Sequence, residues 1–108
     1  MIDAADRVAR IRRAASAFMV GWVEGMRDLP GNPAGVHVER FGEVVALGCA
    51  TLPELDFVNA VHGLDPGATD RVGEVTAFYR GLGLRGWTEV APAPGVEALI
   101  EAGVALVR

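Results

Sequence analysis

DFVNAVHGLDPGATDRVGEV, residues 56–75, is the stretch on which the fold reading turns. An apolar segment runs from Asp56 to Leu64, a loop holds Gly63, Pro66 and Gly67, and a new apolar periodicity starts at Val72. Strand, glycine-bearing loop and helix start make an arrangement that can hold an anion on backbone N–H groups. Asp65-Pro66-Gly67 is a turn signal, because proline presets φ and glycine accepts positive φ. Thr69 or Asp70 is then the expected cap of a helix over about 70–81, with Val72, Val75, Phe78, Tyr79 and Leu82 facing inward. Within "GLGLRG" (81–86), Gly81 or Gly83 suits the left-handed position after the last helical residue.

Toward the N-terminus, "EVVALGCATL" (43–52) is almost wholly apolar, as expected of a strand buried on both faces. "GVHVERF" (35–41) precedes it, and Phe41-Gly42-Glu43 is the expected tight turn between the two. "LPGNPAG" (29–35) breaks regular structure with two prolines and two glycines. Before it, residues 3 to about 27 read as one long helix with Asp3 as N-cap. Val8, Ile11, Ala15, Phe18, Trp22 and Met26 share one face through spacings of three and four. Gly21 and Gly25 each cost about 1 kcal/mol relative to alanine. Their spacing allows a close backbone approach on one side or a break near Gly21. An exposed Trp22 face beside these glycines would point to helix pairing between chains.

Toward the C-terminus, "WTEVAP" (87–92) reads as a fourth strand. Residues 95–102 read as a short helix with Val96, Leu99 and Ile100 inward, and "VALVR" (104–108) as a last strand with an open edge. The expected order is α-β-β-β-α-β-α-β. That is one α/β domain over 1–108, with a helical segment at 1–30, a mixed but mostly antiparallel sheet core at 36–108, and flanking helices.

Composition bounds the function. At 108 residues the chain holds one ordinary domain. A net charge of −4 argues against a nucleic-acid partner. All ten basic residues are arginine, so no lysine is present for Schiff-base chemistry. No run approaches the ~18 apolar residues of a membrane span, and the charged N-terminus is no signal peptide; a cytoplasmic protein is expected. The single cysteine, Cys49, lies in an apolar run and reads as a buried thiol. His37 and His62 have no acidic or cysteine companion at ligand spacing, so no metal site is expected. Glu43, Glu54 and Glu89 read as solvated carboxylates, Trp22 and Trp87 as core or interface residues. Asn59 reads as a buried tie from the strand to the next loop, and His62 lies at a strand end, where sites on α/β sheets form.

"FVNAVHGL" (57–64), "VGEVTAFYRGLGLRGWTEVAP" (72–92) and "PGVEALIEAGVALVR" (94–108), in that order, resemble the N-terminal half of tandem GCN5-related N-acetyltransferase (GNAT) proteins of bacteria. The resemblance covers roughly residues 36–108. It rests on a strand of pattern Phe-x-Asn-x-x-x-Gly-Leu, a helix with Phe-Tyr near its end, a strand ending in proline, and a short helix closed by glycine.

The resemblance implies acetyl-CoA as donor and a small amine as acceptor if the chain is active. It places the cofactor loop at "GLDPGATD", with Gly63, Gly67, Ala68 and Thr69 as cofactor-binding positions and Asn59 and His62 as ligand-binding ones. The loop lacks the family's leading Arg or Gln. Asp65 and Asp70 put negative charge where a pyrophosphate would sit, and Pro66 removes a donor. The segment that carries a catalytic tyrosine in many members, here "GVEALIEAG", has none. The expectation is therefore a non-catalytic half, with no catalytic residue and no bound cofactor, acting as scaffold or binding module beside a second GNAT domain or an identical subunit. The alternatives are an active small N-acetyltransferase and a dimeric interaction module paired through its last strand. The chain reads as a fragment, a standalone relative or one part of an assembly.

Overall fold

The structure, a computed structural model, describes residues 4–64 and 66–88. The expected Asp3 cap, Asp65, Glu89 and every element expected beyond residue 88 lie outside them.

Helix α1 spans Ala4–Arg27 and passes through Gly21 and Gly25 without a break. Packing outweighs propensity there: Val20 and Val23 are buried against Val36, Leu47, Cys49 and Val58. The stripe Val8, Ile11, Phe18 and Trp22 does share one face, but that face is exposed. The helix docks instead on the Val20–Val23 side. The chain then turns through 29–35, where the Asn32 side chain both accepts from Val36 N–H and donates to its carbonyl, each at 3.0 Å.

Strands β1 (Val36–Phe41) and β2 (Val44–Cys49) form an antiparallel hairpin with Phe41 opposite Val44. Gly42 takes φ +63° at the first turn position, where a two-residue hairpin loop needs positive φ. Strand β2 is buried on both faces, and its period of two sorts the core. Val44 and Ala46 face one cluster, while Leu47 and Cys49 belong to the cluster under α1.

The third strand is shorter than the sequence suggests. Residues 56–64 were expected to be extended. Asp56–Val58 is instead a 3₁₀ turn, and only Val61–His62 forms β3, antiparallel to β2. Asn59 accounts for the difference: its side chain takes up the Cys49 N–H at the end of β2 and the loop carbonyls of Leu52 and Leu55. The described strands run in the order β1-β2-β3.

A second 3₁₀ segment, Pro66–Arg71, leads into α2 (Val72–Leu82). The expected Thr69 or Asp70 cap is absent: Arg71 occupies the cap position, with no side-chain capping bond. The C-terminal expectation holds, since Gly83 is left-handed and its N–H bonds the Arg80 carbonyl. Val72, Val75 and Tyr79 bury against Val44, Ala46, Val61 and Leu64. The two helices therefore cover opposite faces of the sheet. Past α2, Trp87 pairs in parallel with Ala60, through Val61 N–H to Trp87 O at 2.7 Å and Trp87 N–H to Asn59 O at 2.9 Å. Strand, helix and returning backbone thus make a crossover on the α2 face. The described residues are a mixed α/β arrangement of two α-helices and a three-stranded antiparallel sheet.

Candidate functional site

Asn59 is fully buried, and both ends of its side-chain amide are hydrogen-bonded. The amide oxygen accepts from Cys49 N–H, and the amide nitrogen donates to the carbonyls of Leu52 and Leu55, all at 2.8 Å. Three bonds use both amide hydrogens and one oxygen lone pair. The side chain ties the end of β2 to the 52–58 loop.

His62 lies on the other side of the sheet from α2. Its Nδ1 is 3.0 Å from Ser16 Oγ on α1. The neighbouring Val61 points into the α2 cluster, as strand alternation requires. Asn59 and His62 are close in sequence, yet neither lines the cleft described below.

On either side of residue 65, the described part of the 63–69 loop packs on the core. Gly63 has φ +83°, and a Cβ on it would lie 2.5 Å from the Glu43 carbonyl oxygen. Leu64 is buried, and Ala68 packs against the same cluster. Thr69 is half-buried, and Gly67 lies within the 3₁₀ segment. Arg71 reaches over the hairpin turn to within 3.1 Å of where a Gly42 Cβ would stand, and pairs with Glu74 at 3.0 Å.

An open cleft of about 310 Å³ lies between α2 and the returning backbone. Val61, Leu64, Val75, Tyr79, Leu84 and Trp87 supply its apolar lining, and Thr76, Arg80, Arg85 and Thr88 its polar one. The Arg85 guanidinium lies 4.7 Å from the Trp87 ring centre, a cation–π contact. Gly86 is required here: a Cβ on it would overlap the Tyr79 ring. Trp87 Nε1 is buried and has no hydrogen-bond partner among the described residues. Sequence reasoning named Trp87 and Tyr79 but passed over Arg80 and Arg85. The signal for Arg85 was "RGW" (85–87), where a glycine between two large side chains marks a close approach.

Tyr79 is a core residue. It is 5% exposed, and its hydroxyl donates to the Leu47 carbonyl at 2.7 Å. Burial pushes its phenol well above the usual 10.0, so the folded protein holds it neutral. A phenol neutral in the fold stabilises it fully below pH 10, and the contribution is lost as pH rises through and above that value. Tyr79→Phe is expected to cost about 1–2 kcal/mol at neutral pH by orphaning the Leu47 carbonyl. It is also expected to flatten the fall in stability above pH 10; urea unfolding at both pH values reads both effects.

Cys49 is buried, with its Sγ 3.3 Å from the Ala34 carbonyl. His37, Glu43 and Glu54 are exposed and none of them lines this cleft, but Glu54 lines an adjoining cavity that shares Leu84, Arg85 and Trp87 with it. Among the described residues no three His, Cys, Asp or Glu side chains gather as a metal would need, and no helix is long and apolar enough to cross a membrane. The cleft can therefore receive an apolar group beside two guanidinium groups, with Thr76 and Thr88 as its hydroxyls. Compared with known proteins, the chain matches no family model, no curated protein and no solved structure.

Proposed function

We propose that the chain is a GNAT-like domain of the non-catalytic kind, a scaffold or binding half that works beside a second domain or subunit. The supporting observation is the crossover itself. A short strand, a glycine turn, α2 and a parallel return at Trp87 follow one another in the order that the resembling phrases imply.

Two further features favour binding over catalysis. Tyr79, the sole tyrosine, has its hydroxyl committed to Leu47, and burial holds its proton tightly, which makes it a poor acid for a departing thiolate. On either side of residue 65 the turn serves packing, with Leu64 and Ala68 set into the core cluster. A cytoplasmic setting accords with this reading.

Titration calorimetry with acetyl-CoA, run beside an acetylation assay on a panel of small amines, tests the proposal. The expected result is no heat of binding and no transfer above the uncatalysed background. Transfer clearly above background that Tyr79→Phe abolishes would overturn it in favour of an active acetyltransferase.

A further inference from the structure

Among the described residues, the first half of α1 has little to pack against. Over residues 6–15 every side chain but that of Ala9 is exposed. Ile11 is 68% and Phe18 71% exposed, large values for residues of this kind on an ordered helix. The exposed apolar positions are also regularly spaced. Val8, Ile11, Ala15, Phe18, Trp22 and Gly25 alternate steps of three and four, the a and d positions of a seven-residue repeat. This seam runs about 26 Å along the helix and lies apart from the Val20–Val23 side that meets the sheet.

We infer that this seam is the contact between two copies of the chain, their α1 helices packed antiparallel. Side-chain size supports that direction. An antiparallel pair centred between Ser16 and Ala17 sets Phe18 against Ala15 of the second copy, Trp22 against Ile11, and Val8 against Gly25, so each layer joins a large residue to a smaller one. A Cβ at Gly21 or Gly25 would meet nothing within 4 Å, so the second helix can come close there.

Charge supports the same choice. The positions flanking the seam on one side are Arg7, Ala14, Gly21 and Asp28, again seven apart. Antiparallel packing brings equivalent flanks together, so Arg7 approaches Asp28 of the second copy and Ala14 approaches Gly21. A parallel pair would set Arg7 beside Arg12 and align two basic halves carrying Arg7, Arg10, Arg12 and Arg13. Asp28 continues the helical path, with its N–H bonded to the Glu24 carbonyl at 3.0 Å. Its present partner is the adjacent Arg27, an exposed pair that is cheaply exchanged. Trp22 stacks on Phe57 at 5.9 Å, which extends the apolar surface beyond the helix. The inference is independent of the acetyltransferase reading, because its readout is mass and not activity.

Sedimentation velocity at about 0.2 mM protein, well above the micromolar range of modest interfaces, is expected to show a dimer. Phe18→Glu, at an exposed position, is expected to leave the far-ultraviolet dichroism and melting of the monomer unchanged. It should weaken the dimer by at least ~10-fold, because it buries a charge in the seam. Arg7→Glu alone should weaken it about 3- to 10-fold, and Arg7→Glu with Asp28→Arg should recover most of that loss. A monomer at that concentration overturns the inference, as does a dimer indifferent to Phe18→Glu. A dimer whose charge swap brings no recovery overturns the antiparallel arrangement.

Discussion

Asn59→Ala is expected to destabilise the fold by about 3 kcal/mol, a large share of the stability of a domain this size. The side chain is 0% exposed and holds three backbone groups at 2.8 Å. Truncation orphans the Cys49 N–H, which lies inside the core, at a cost of about 1–3 kcal/mol. The carbonyls of Leu52 and Leu55 belong to exposed residues and regain water more easily, so they add less. The remainder comes from the void left among Val58, Cys49 and Leu47. Urea unfolding gives the check: a lower midpoint at unchanged slope is the expected result. A loss under about 0.5 kcal/mol, the range of ordinary surface changes, would mean that Asn59 does not hold the 52–58 loop to β2.

Gly63→Ala is the second large effect, expected at about 3 kcal/mol or more. Two costs combine. At φ +83° an L side chain is strained by roughly 1–2 kcal/mol. The added Cβ also meets backbone, with Glu43 O at 2.5 Å and Glu43 C at 3.3 Å, and the hairpin turn cannot move aside without disturbing the β2–β3 pairing. Gly73→Ala is the matched control. Gly73 lies in α2 with nothing within 4 Å of the new Cβ, so the same chemical change should stabilise by up to about 1 kcal/mol. Opposite signs in the two melting shifts are the expected result. Equal signs would show that backbone conformation and contact at Gly63 do not decide the outcome.

Much of the architecture was legible from local pattern. The β1–β2 hairpin followed from Gly42, the double burial of β2 from its unbroken apolar run, and the end of α2 from two candidate glycines, Gly81 and Gly83, of which Gly83 is the left-handed one. In each case the cause is short-ranged: a conformational demand at one residue, or a periodicity within one element. Asn59 was read as a tie to the next loop, and it does bond that neighbourhood. The 3₁₀ turn at Asp56–Val58 was not legible, because "DFVNAVHGL" has strand composition. Its extension is prevented by Asn59 bonds that depend on where Cys49 lies.

The cleft was harder still to foresee. It joins Val61 and Leu64 to Tyr79 and Trp87, side chains brought together only when α2 folds back over the sheet. Arg80 and Arg85 flank the Gly83 cap and have no meaning until that packing exists.

By itself, the sequence determined α1, the β1–β2 hairpin and α2, where the glycine turns between them fall, and that α1 carries an apolar stripe. Only the tertiary structure decided which side of α1 meets the sheet. Periodicity ranks the faces of a helix by apolar content, whereas docking depends on fit. The stripe with Phe18 and Trp22 is the bulkier, but the slimmer Val20 and Val23 fit against Val36, Leu47 and Cys49, and the bulkier side is left facing outward.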